Sequence, residues 1–128
     1  MSAAANLPKS MSDTPAAPGL RRRPIDLVHL ARQTHGNREL ETEILALFLR
    51  QSPQQFARIA AATTPEARFE AAHQLKGSAR AIGAWTVADW AERLEAGPLP
   101  DPAPNDDRLA GLEHALVVAN DFIRALSD

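Results

Sequence analysis

The sequence predicts an all-α protein, an antiparallel four-helix bundle with a short additional N-terminal helix. Three observations point there. Apolar residues recur three and four apart through successive segments, as helices with one buried face require. No segment alternates apolar and polar residues with period two, and none strings β-branched residues between turns. Glycine and proline gather mainly between the periodic segments, which leaves short links suited to antiparallel neighbours.

The elements follow in order. Asp26 is a good N-cap for a short first helix through Leu27, Leu30 and Ala31 to His35, where Gly36 ends it. Asn37 can cap a second helix carrying Leu40, Ile44, Leu47, Phe48, Phe56, Ile59 and Ala60. Pro53 interrupts that pattern, so a kink or break is expected near Gln51. Thr64-Pro65-Glu66 supplies cap, first-turn proline and first-turn acid for a third helix, with Ala72, Leu75, Ala79 and Ile82 inward. Gly83 marks a turn. A fourth helix follows with Ala84, Val87, Ala88, Ala91 and Leu94 inward, stopped by Gly97-Pro98. Pro98, Pro100, Pro102 and Pro104 make the segment from Gly97 to Asp107 a loop. The last helix carries Leu109, Leu112, Leu116, Ala119, Ile123 and Leu126 on one seam. The four bundle helices are expected to be long.

Bulk properties narrow the class. A chain of 128 residues, 45% of them apolar, holds one domain. Residues 1–24, rich in Ala, Ser and Pro at their start, read as a flexible tail, and 25–128 as the bundle domain. The tail lacks the apolar core of a secretory signal. A formal net charge of −2 argues against nucleic-acid binding, and Arg21-Arg22-Arg23 reads as a solvated cluster. No apolar run approaches the ~18 residues of a membrane span. Cysteine is absent, which excludes disulfides and thiolate chemistry and fits a cytoplasmic location. His29, His35 and His114 lie on separate elements without ligand-like spacing, so no metal site is expected.

The chemistry concentrates in Ala72-His73-Gln74-Leu75-Lys76-Gly77-Ser78-Ala79. At about 100° per residue the apolar stripe centres near Leu75 and Ala79. His73 points away from it, with Lys76, Gly77 and Arg80 on its face. A glycine inside a helix costs ~1 kcal/mol relative to alanine, so it implies a packing or access reason. Here it opens the approach to an exposed imidazole. Lys76 places positive charge one turn away, where it can steady a phosphoryl group on the ring. Phe69 falls between the stripe and the histidine face, as edge core or as a docking residue. On the fourth helix Asp89, Glu92 and Arg93 point outward, whereas Glu95 flanks the inward stripe. With the third and fourth helices antiparallel about Gly83, Glu95 reaches the height of His73. It then accepts from Nδ1–H and leaves Nε2 free as a nucleophile. The competing reading of Glu95 is an interhelical ion pair with Lys76 or Arg80.

His73-Gln74-Leu75-Lys76-Gly77-Ser78, followed by Ile82-Gly83, resembles the signature of histidine-containing phosphotransfer (HPt) domains of two-component phosphorelays. The likeness extends over roughly residues 25–127, including the proline partway along the second helix. It implies a phosphocarrier whose His73 is phosphorylated on Nε2 in exchange with aspartyl-phosphate receiver domains. Lys76 would steady the phosphoryl group, Glu95 would orient the ring, and Phe69, Gln74, Gly77 and Arg80 would form the docking surface. Family members carry Gln or Glu at the position of Glu95. Ala79, where a small hydroxyl residue is common, and Arg80 on the docking face are departures. The implied partners are response regulator receiver domains and a hybrid sensor histidine kinase, with no nucleic acid and no membrane. No cofactor is expected, since Mg²⁺ would sit on the receiver. No glycine-rich phosphate loop is present, so ATP-dependent kinase activity is not expected either. A monomeric, freestanding protein is the expectation. The alternative is a helical adaptor that binds a receiver or kinase without carrying phosphate.

Overall fold

The computed structural model describes residues 23–99 and 106–127. The tail expected over residues 1–24 lies outside them up to residue 22, as do Arg21, Arg22 and the centre of the proline loop. Among the described residues there are five helices and no strand: α1 (Leu27–Gln33), α2 (Arg38–Ala61), α3 (Pro65–Ile82), α4 (Trp85–Arg93) and α5 (Arg108–Ser127). Packing runs in a ring, α2 on α3, α3 on α4, α4 on α5 and α5 back on α2, with α1 laid against α3 and α2. The predicted bundle is what forms. None of the described helices is long and apolar enough to cross a membrane.

The caps are those the sequence implies. Asp26, Asn37 and Thr64 accept from the backbone N–H of His29, Leu40 and Ala67. Gly83 ends α3 in the left-handed region at φ 79°. The core is built from Ile59 of α2, Leu75 and Ile82 of α3, Val87 and Leu94 at α4, and Leu112 and Ile123 of α5. The facing stripes of α3 and α4 are rich in buried alanine (Ala72, Ala79, Ala84, Ala88 and Ala91), and such small side chains let two helices approach closely. A similar economy of space recurs at Gly111, where an added Cβ would fall 2.5 Å from the Trp90 ring. Trp90 thus rests on the backbone of α5, and the Arg93 guanidinium lies over its ring, 4.4 Å from the centroid.

α1 is fastened to the turn between α3 and α4. The Asp26 N–H donates to the Gly83 carbonyl at 3.0 Å, and Trp85 Nε1–H donates to the Asp26 carboxylate at 3.0 Å. The Trp85 bond foremost, and then the bond from the His29 N–H, hold the Asp26 carboxyl below its ordinary range. His29 Nε2 donates to the Arg80 carbonyl at 2.8 Å and meets the Trp85 ring edge-on.

Four expectations need correction. α2 runs unbroken through Pro53. The proline removes one N–H, but buried Phe48, Ser52, Gln55 and Ile59 pin the helix on both sides of it. Asn120 of α5 reaches Ser52 with an amide hydrogen bond of 3.2 Å inside the bundle. α1 stops at Gln33 rather than His35, because His35 (φ 54°) and Gly36 (φ 77°) have left-handed backbone. α4 is short, nine residues, ending at Arg93 before the Gly97-Pro98 stop signal. Glu95 therefore lies beyond that helix instead of on it. Finally, Leu40, Leu47, Ala60 and Leu126 share their helices' apolar pattern but are exposed.

Candidate functional site

The buried stripe of α3 turns its opposite face outward. Ala72, Leu75 and Ala79 are fully covered, and the His73 side chain is left 60% exposed. Glu95 arrives from the bend after α4, its N–H donating to the Glu92 carbonyl at 3.1 Å. Its side chain is only 12% exposed, and Oε2 lies 2.9 Å from His73 Nδ1. The chain reversal at Gly83 thus brings Glu95 beside His73, although from a bend and not from the helix itself.

The carboxylate is held by Lys76 as well. Nζ lies 2.9 Å from Oε1 and 2.8 Å from Oε2 of Glu95. Burial pushes the Glu95 carboxyl up. Hydrogen bonds from Lys76 and then His73, with their charges, more than offset that and leave it below the ordinary carboxyl range. Glu95 is therefore ionised near neutrality and can only accept. The proton of the shared bond belongs to Nδ1, which leaves Nε2 of a neutral ring with its lone pair directed away from the carboxylate. One carboxylate thus contacts both His73 Nδ1 and the Lys76 ammonium.

Arg80 is not part of that pair. It reaches Glu92 at 3.4 Å, and both side chains are more than half exposed, so the contact contributes little. Lys76 is more covered than its position on the histidine face suggests, 13% exposed, with its ammonium directed at Glu95. Phe69 is 47% exposed, and its ring stacks on the His73 ring with centroids 5.2 Å apart and planes 16° from parallel. A Cβ added at Gly77 would meet nothing within 4 Å. No internal packing requires that glycine. Gln74 is exposed and accepts from Arg58 Nη1 of α2 at 3.3 Å.

Residues that sequence reasoning missed bind the backbone just after Glu95. Arg68 of α3 and Arg108 of α5 both donate to backbone carbonyls in the segment following Glu95. Their partners are main-chain atoms brought near only by the fold, so neither spacing nor residue type announces them. Of the remaining histidines, His29 bonds the Arg80 backbone carbonyl, and His35 and His114 are both exposed. Among the described residues no group of three or more His, Cys, Asp or Glu side chains could hold a metal ion.

Comparison with known proteins agrees with this fold. The family model described as the Hpt domain matches residues 43–119, from α2 into α5. The crystal structure of the HPT domain from an Hpt sensor hybrid histidine kinase from Shewanella superposes with a TM-score of 0.65. It shares 16% identity, with 80% of this chain and 92% of that chain covered, a likeness of fold. No curated protein matches the chain in sequence. Because the family model spans more than half of the chain and takes in the helix that presents His73, the chain belongs to the Hpt domain family of two-component phosphorelays.

Proposed function

We propose that His73 is the phosphoacceptor of a phosphorelay intermediate that exchanges a phosphoryl group with aspartyl phosphate on receiver domains. The observation that carries this reading is the 2.9 Å bond between Nδ1 and a carboxylate at the base of an exposed ring. Nε2 donates its lone pair to phosphorus. The bond from phosphorus to the partner's aspartyl oxygen breaks, and its electron pair leaves with that carboxylate. Nδ1 keeps its proton, and the positive charge gained by the ring faces ionised Glu95. Return transfer reverses each step.

Lys76 keeps Glu95 ionised, and its remaining donor capacity is available to a phosphoryl oxygen on the ring. Phe69, Gln74, Gly77 and Arg80 form the surrounding docking surface. The partners are receiver domains of response regulators and of a hybrid sensor histidine kinase, whose acidic site supplies Mg²⁺. The chain acts as a phosphocarrier without ATP-dependent kinase activity, as a cytoplasmic monomer with the bundle spanning residues 25–128.

The test is phosphate acceptance from a phosphorylated receiver. The wild-type chain should gain an acid-labile label, and folded His73→Gln should gain none. Equal labelling of that variant, or formation of a complex without any adduct on the wild-type chain, overturns the reading. The second result would identify a non-catalytic adaptor.

A further inference from the structure

Glu95 orients His73 from outside regular structure, so something other than helix geometry must fix it. Its last backbone bond is to Glu92, and the chain then bends through Ala96, Gly97 and Pro98, with Gly97 at φ 83°. The carbonyls of those three residues converge on two guanidinium groups. Arg68 Nη1 donates to Gly97 at 2.7 Å and to Pro98 at 3.0 Å. Arg108 donates to Ala96 at 3.2 Å through Nη1 and to Pro98 at 2.7 Å through Nη2. Arg108 is itself aimed by Asp106, which accepts from its Nε at 3.0 Å and its Nη2 at 2.9 Å.

The chemistry of Arg68 is unusual. It is only 4% exposed, and among the described residues its hydrogen bonds go to neutral carbonyls and its Nε has no partner. Burying a guanidinium this way is unfavourable compared with an apolar side chain of similar volume. As a stability device it is poor. As a way to hold a bend rigid it is effective, because planar, fixed donors meet two successive carbonyls.

We propose that Arg68 and Arg108 are positioning residues for phosphotransfer, clasping the Ala96–Pro98 backbone from α3 and α5 so that Glu95 stays on Nδ1 of His73. Arg68 lies on the same helix as His73, so one rigid element presents the ring and anchors the segment bearing its orienting carboxylate. The proposal rests on His73 being the phosphoacceptor.

The experiment compares Arg68→Met and Arg108→Met with the wild-type chain and with Ile123→Val, a core control expected to destabilise the bundle modestly. Two quantities are read: the His73 ring tautomer by ¹⁵N NMR, and the rate of phosphoryl transfer from a phosphorylated receiver. Each arginine variant should lower the Nδ1–H fraction and slow transfer about tenfold, the scale seen when an outer partner of a functional histidine is lost. Arg68→Lys should restore part of both, and Ile123→Val should change neither. Should Arg68→Met fail to fold, Arg108→Met, whose side chain is partly exposed, decides alone. An unchanged tautomer and rate in folded variants overturn the proposal while leaving His73 as the acceptor. Labelling of His73→Gln would instead remove the reading on which it rests.

Discussion

Glu95 stands two residues past the end of α4, yet its Oε2 lies 2.9 Å from Nδ1 of His73 on the neighbouring helix. The same carboxylate binds Lys76 through both oxygens. One side chain therefore faces both the ring nitrogen and the ammonium next to it. The site is a three-residue unit across two chain segments, and its components are separable by experiment.

Removing the carboxylate should affect chemistry more than docking. Glu95→Ala leaves Phe69, Gly77 and Arg80 in place but frees the ring to adopt either tautomer. Transfer should slow about tenfold or more, while receiver affinity falls less than about twofold. Glu95→Gln, which retains an amide oxygen as acceptor, should lie between. Rapid-quench transfer rates set beside titration calorimetry separate the two effects. A rate equal to wild type in Glu95→Ala would make Glu95 merely structural.

The depressed Glu95 pKa also gives a signed pH dependence. A carboxyl whose folded-state pKa is lowered contributes stability that is fully present above its ordinary value, 4.5, and lost as pH falls through the folded-state value below that. Wild type should exceed Glu95→Gln in unfolding free energy by a constant margin of about 1–2 kcal/mol near neutrality. The margin should shrink only below about pH 4.5. Denaturant titrations at pH 7 and pH 3 measure it, and an equal margin at both would show that ionisation of Glu95 contributes nothing.

Much of this arrangement was legible in the sequence because it follows from period and capping. The stripe through Ala72, Leu75 and Ala79 fixed the outward direction of His73, and Gly83 implied the reversal that brings Glu95 alongside. What stayed hidden depends on contacts distant in sequence. The end of α4 at Arg93 places Glu95 in a bend that two arginines hold through main-chain carbonyls. Helix period carries no information about such partners. Pro53 departs from expectation for a related reason: local propensity favours a break, while packing of α2 between α3 and α5 maintains the helix.

Gly83 should be the least replaceable glycine of the α3–α4 connection. Its φ of 79° is strained for any L side chain, and a Cβ would lie 2.7 Å from Asp26 Cβ and 2.9 Å from the Asp26 carbonyl oxygen. Backbone cannot yield as a flexible side chain can. Gly83→Ala should cost more than about 2 kcal/mol and loosen the Trp85–Asp26 bond that fastens α1. Chemical denaturation followed by tryptophan fluorescence reads both, and a loss below about 0.5 kcal/mol would contradict the close approach.

Gly77 makes the opposite prediction, because the space around it is open and its backbone is helical. Gly77→Ala should stabilise the isolated domain by about 0.5–1 kcal/mol, the helix-propensity gain of an exposed interior site. Gly77→Gln should also fold normally, yet weaken receiver binding, since its side chain projects into the approach to His73. The pair of variants therefore separates stability from access. Thermal unfolding gives the first quantity and receiver titration the second. Should Gly77→Gln bind a receiver as tightly as wild type, the glycine would have no role in docking, and the propensity lost at this position would be left without a physical reason.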